Sequence, residues 1–171
     1  GAPLLAAAAL FPGYYLNELL LKLLARQDPH PTLFDAYADT LRALATQAGS
    51  GDETAALRAF ELLLLRETGV LPDLAQVTLT AEPLQPAARY SLQAEAGVAP
   101  EAQGAPGAAW VAWEAALSHG STAALRQAVA PHAAALRAPL RALLHYHLGT
   151  TPLRTRQVWQ GVQRLAENAP R

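Results

Sequence analysis

His145-Tyr146-His147 is the densest pairing of metal-ligating side chains in the sequence. Residues two apart on a helix diverge by about 200°, so these imidazoles cannot close on one ion as an i, i+4 pair could. His30, His119 and His132 fall in expected loops or at a helix start, where exposed helix-end histidines account for them. Glu18 and Glu61 could be read as a carboxylate pair for acid–base work. Glu18, however, has Lys22 four residues on, and a solvated i, i+4 pair explains it without catalysis. Ser, His and Asp occur in no nucleophile-elbow context, and no Gly-rich phosphate loop is present. The side chains therefore point to binding chemistry and to no active site.

Two motifs suit binding. Thr151-Pro-Leu-Arg154-Thr-Arg156-Gln157 sets Arg154 and Arg156 at a loop-to-helix junction, where backbone amides and guanidinium groups favour phosphate or carboxylate. Salt bridges to neighbouring acids are the alternative for the same two arginines. Leu57-Arg58-Ala-Phe60-Glu61 places an Arg at the rim of an apolar helical stripe, as an ordinary helix boundary or as the charged lip of a groove for a peptide ending in an apolar residue.

Helices must position these groups. In Gly13–Arg26 the polar side chains Glu18, Lys22 and Arg26 follow at i, i+4, i+8, so a helix here is greasy nearly all round. The spacing predicts a first helix from about Pro12 to Arg26, stopped by Asp28-Pro-His-Pro31 and serving as the centre of a bundle, with Leu20 and Leu24 in its core. A second helix is expected from Pro31 to Gln47, with Phe34, Tyr37, Leu41 and Leu44 as its stripe. Ser50-Gly-Asp-Glu53 fits a capping box for a third, which runs to Thr68 and ends on Gly69. From Val70 the period changes to two: Gln76–Thr80 and Arg89–Gln93 predict a small two-stranded excursion that must lean on the bundle. A Gly/Ala/Pro loop over 94–106 follows. Helical pattern resumes at Ala108–Leu117, with Trp110 and Trp113 on one face, and again from Thr122. Pro131 and Pro139 predict a break or kink ahead of Leu140–His147. A last helix begins near Pro152 and carries Val158, Trp159 and Val162. The fold class is mainly α: one helical domain made of residues 1–69, a β excursion and loop at 70–106, and completing helices at 107–171.

A length of 171 residues is enough for one sizeable core, and Ala supplies much of the 51% hydrophobic content, as close-packed helices require. The absence of cysteine excludes disulfides and Cys-ligated zinc. The net charge of −1 gives no general reason to expect a polyanionic partner. Its distribution is less even: from Arg137 onward there are six arginines against one acid, Glu167, which leaves the rest near −6. Leu4–Phe11 lacks the positive flank of a signal peptide and is too short to span a membrane. The chain contains no Met, so we expect a processed product or a piece of a longer protein.

Taken in order, "YYLNELLLKLL", "DPHPTLFDAYADTLRAL", "LRAFELLLLRETG" and "LRALLHYHLGTTPLRTRQ" resemble the C-terminal helical part of the bacterial RecO family, from about Leu4 to about Arg164. The resemblance implies an N-terminal OB-fold ahead of this region and a role as a recombination mediator in DNA repair, without enzymatic activity. It implies binding to single- and double-stranded DNA, strand annealing, cooperation with RecR, and capture of the acidic C-terminal tail of single-stranded DNA-binding protein, so that RecA is loaded. Cytoplasmic, nucleoid-associated localisation follows from that role. Some members hold zinc on four cysteines after the third helix; the corresponding segment, 74–99, has none, so no cofactor is carried over. The family's tail pocket carries over to Leu57 and Arg58, within the motif that includes Phe60 and Glu61. Lys22 and Arg26 are added as the opposite charged rim, while Arg154 and Arg156 are the expected DNA contacts. A purely structural or oligomerising helical domain is the competing reading and predicts no acidic-peptide binding. A hydrolase would need a buried acid with a perturbed pKa.

Overall fold

The computed structural model describes residues 7–24, 30–46, 51–149, 153–155, 157 and 158. Among the described residues, six α-helices and a three-stranded antiparallel sheet stand out: α1 (Ala7–Leu23), α2 (Pro31–Thr46), α3 (Gly51–Glu67), β1 (Arg89–Gln93), β2 (Gly97–Pro100), β3 (Ala105–Pro106), α4 (Gly107–Ser118), α5 (Thr122–Val129) and α6 (Ala133–Leu148). Their buried side chains form one hydrophobic cluster.

The hub is α3, not α1. Ala55, Ala56, Ala59, Phe60 and the run Leu62–Leu65 are all buried, and α1, α2, α5 and α6 pack on this helix. Its alanines let neighbours approach on one side, while four successive leucines cover the rest of its circumference. The helix ends as its sequence predicts. Gly69 has φ of +75°, its amide bonds to the Arg66 carbonyl, and the Val70 amide reaches the Leu65 carbonyl. This is a Schellman closure around a left-handed residue, which Gly adopts without a Cβ penalty. Ser50 of the expected capping box lies outside the described residues.

By contrast, α1 packs on α2 and α3 through Leu16 and Leu19, both fully buried, whereas Leu20 and Leu24 are only half-buried. Tyr14 and Leu21 stand 61% and 78% exposed, so the greasy surface of this helix is only partly used. Pro12 does not begin the helix but lies inside it, just as Pro139 lies inside α6. Each proline forfeits one backbone bond to the residue four back. In α6, burial of Leu136, Leu140, Leu143 and Leu144 on both sides of Pro139 holds the helix together. The expected break falls instead at Pro131, in a short 3-10 turn, Ala130–His132.

The excursion differs from the expected hairpin. Strand β1 is central and pairs with β2 and β3; Gln76–Thr80 contributes only an isolated bridge between Gln76 and Pro83. Residues 94–96 turn the chain so that Gln93 pairs with Gly97, whose φ is +69°. The segment read as a loop thus supplies both neighbours of β1. Buried Tyr90, Leu92 and Val98 attach the sheet to the helices. A polar tie adds to this: the Glu114 carboxylate of α4 accepts from Arg66 of α3 at 2.5 Å and from the Leu74 amide at 2.8 Å. Trp110 and Trp113 are both buried edge-to-face, and their indole N–H groups donate to the Ala105 and Ala128 carbonyls.

Candidate partner-binding site

Arg58 and Glu61 stand at i, i+3, so on α3 they share one face. That face lies against α1 and α6, not against water. Glu61 is 1% exposed and Arg58 8%. Arg58 Nη2 donates to Glu61 Oε1 at 2.9 Å, and Arg58 Nε lies 2.8 Å from Oε2 without a hydrogen-bond angle. Tyr15 of α1 donates its hydroxyl to the same Oε1 at 2.7 Å. Burial pushes the Glu61 carboxyl up against the opposing pull of Arg58, the Tyr15 hydrogen bond, and the positive charges of Arg141 and Arg137. Burial, followed by the neighbouring Glu61 charge, likewise raises the Tyr15 phenol. Glu61 therefore has its own cation, one phenolic donor, and two further arginines within electrostatic reach.

Those two arginines lie on α6. Arg137 and Arg141 are exposed, one turn apart, beside the buried stripe of Leu136, Leu140 and Leu144. No acid occurs anywhere in α6, and neither arginine makes an ion pair among the described residues.

A second polar cluster holds Lys22. Its Nζ lies 3.1 Å from Glu18 Oε1. The same carboxylate accepts from the Arg154 amide at 2.6 Å, the Thr155 amide at 2.9 Å and the Thr155 hydroxyl at 2.7 Å. Glu18 is thus more than half of a solvated pair, because it also receives free amides at the start of the last helical segment. Burial alone would raise its pKa, but the Thr155 and Arg154 donors and Lys22 outweigh it and bring the value from near 4.5 to about 2.

The residues singled out from sequence thus fall into different surroundings. Leu57 is half-buried and packs on the core; Phe60 is fully buried against Tyr37, with ring centroids 6.2 Å apart, and can only shape a site from beneath. Arg58 is held by Glu61, and Lys22 by Glu18. The Arg154 side chain is exposed. Arg26 and Arg156 lie outside the described residues. The structure joins Lys22 and the Arg154 backbone on one carboxylate, although the sequence motifs set them apart. Sequence reasoning missed Tyr15 and the pairing of Glu18 with Thr155, and it noticed Arg137 and Arg141 only as part of a basic end. The acid-free run from Ala133 to Leu148 was the available signal. Two shallow depressions among the described residues, about 320 and 360 Å³, lie between α2 and α5 and contain none of these residues. No described helix is long and apolar enough to cross a membrane.

Residues 7–157 match the family model described as the C-terminal part of recombination protein O. The chain belongs to the RecO family. It is 50% identical to the DNA repair protein RecO of Variovorax paradoxus over 92% of this chain and 65% of that relative. Identity is 49% with the RecO of Acidovorax ebreus, at the same coverage of both chains. The chain therefore spans about 65% of the length of these relatives, and the match is to the family's C-terminal region.

Proposed function

We propose that this RecO-family region is a non-enzymatic module of DNA repair that captures an acidic protein tail. The partner is the C-terminal tail of single-stranded DNA-binding protein, and capture supports strand annealing and, with RecR, the loading of RecA onto coated strands. DNA contact is a secondary role of this region and involves Arg154 and Arg156. The observation that carries the reading is an excess of positive charge at a packed helical face: Arg58, Arg137 and Arg141 converge on a single buried carboxylate, Glu61. Half-buried Leu57 lies in the same motif as Arg58 and offers an apolar contact to a peptide's terminal side chain. Lys22 is the candidate for a second positively charged contact with the tail.

An acidic tail ending in a Phe carboxylate needs cations for its carboxylates and apolar surface for its ring, and such a small contact is dominated by a few residues. Titrating a labelled peptide of several aspartates ending in Phe should give saturable binding that weakens steeply with salt, and removing the Phe should weaken it about tenfold. Binding that is absent at low salt would contradict the reading. It would favour a purely structural domain, in line with the internal pairing of Arg58 and the complete burial of Phe60.

A further inference from the structure

We propose that this chain binds a second copy of itself, the basic face of α6 in one copy meeting the acidic face of α2 in the other. The proposal concerns contact between copies, and failure of the acidic-tail reading would leave it standing.

The two faces are opposite in charge and are not neutralised within one molecule. Arg137 and Arg141 stand exposed, one turn apart, on a helix without an acid, and neither makes an ion pair among the described residues. Asp35 and Asp39 stand exposed, also one turn apart, on α2. Asp39 holds Arg42 of its own helix, whereas Asp35 makes no ion pair among the described residues. Both helices pack on α3 rather than on each other, so the two rows do not meet inside the chain. The sequence as a whole is divided in the same way, with acids in excess before Arg137 and arginines in excess from there onward.

The rows also match in spacing. Residues four apart on a helix lie about 6 Å apart along its axis, so two aspartates and two arginines at that interval can pair one to one. A second row runs beside each. On α2 each acid directly follows an apolar residue, Phe34 or Ala38; on α6 each Arg directly precedes an exposed alanine, Ala138 or Ala142. Successive helical residues are turned by about 100°, so two such helices lying side by side and parallel set Arg against Asp and the alanines against Phe34 and Ala38. Phe34 is 70% exposed in the single chain, and the short alanine side chains let it leave water there. Antiparallel helices would instead set Asp against Ala. An acidic peptide or a nucleic acid strand would use the arginines and leave Asp35 and Phe34 unmet, whereas a second copy uses both faces. The contact is small and largely polar, which makes it weak and salt-sensitive.

The test is sedimentation of the full chain over about a hundredfold range of concentration, reaching about 1 mM; the mass should rise with concentration at low salt and fall back at high salt. Arg137→Glu with Arg141→Glu, and separately Asp35→Arg with Asp39→Arg, should each abolish the rise while the melting curve stays that of the unmodified chain. An equal mixture of the two variants should restore it, because each then offers the charge that the other requires. Glu95→Arg with Glu101→Arg, at exposed positions of the β excursion, makes the same change in net charge as the α2 variant and should leave association unchanged. An unmodified chain that stays monomeric throughout overturns the proposal. Association that survives both charge reversals overturns it in favour of an apolar contact. Loss of association that mixing does not restore overturns the pairing of α6 with α2.

Discussion

Arg58 of α3 and Arg141 of α6 have the same charge and feel the same carboxylate, yet their surroundings differ. Arg58 sits on the most enclosed helix, one turn before an acid, and folding seals the two together. Arg141 sits at the edge of a helix that has no acid, so its guanidinium remains in water. Burial decides which charges the fold keeps and which it leaves for a partner.

The largest effect should come from breaking the enclosed side of this comparison. Arg58→Ala leaves Glu61 buried without its cation, and urea denaturation should show a loss of about 3–5 kcal/mol. A loss below about 1 kcal/mol would mean that the pair behaves as if exposed. The contrast within α1 comes next. Leu19→Ala should cost about 2–5 kcal/mol, because that side chain is fully buried. Leu21→Ala, at a 78% exposed position, should stay within about 0.5 kcal/mol. Equal costs would restore α1 as the hub.

Glu18 gives an intermediate case. Glu18→Gln keeps the shape but loses the charge that holds Lys22 and the Thr155 and Arg154 amides, and should cost about 1–3 kcal/mol. The pH dependence has a definite sign. The folded pKa lies below the unfolded one, so the contribution is complete above pH 4.5 or so and disappears as pH falls towards about 2. Acid titration of stability should therefore be shallower in that window for the Gln variant than for the unmodified chain. The smallest effect belongs to the open side: Arg137→Ala and Arg141→Ala should each change stability by less than about 0.5 kcal/mol.

Much of the helical frame was legible because helices announce themselves locally. The glycine closing α3 at Gly69 and the shared face of Trp110 and Trp113 each depend on residues within a few positions of one another. The expected stripe of α2 was one position off: Phe34 is 70% exposed, and Leu33, Ala36, Thr40, Ala43 and Leu44 form the buried face, because the small Ala and Thr side chains fit the close approach to α3. What could not be read depended on distance. Strand β1 alternates visibly, but whether Gln76–Thr80 or Gly97–Pro100 pairs with it is decided by the turn at 94–96 and the burial of Val98. Similarly, Glu18 with Lys22, and Arg58 with Glu61, look alike in sequence as short-range ion pairs. Only packing shows that one receives amides 136 and 137 residues away while the other is sealed beneath α1. The motif Leu57–Glu61 could be recognised, but the exposure of its members could not.

The account of the enclosed face depends on Arg58 being committed to Glu61, and a double-mutant cycle on that pair is the most direct test. Arg58→Met, Glu61→Leu and the combined variant should be compared by urea denaturation at neutral pH. Each single change should cost about 3–5 kcal/mol, and the combined change should cost less than either, because it leaves no unpaired buried charge. Single costs below about 1 kcal/mol that simply add would contradict the account, since Arg58 would then be free for a partner.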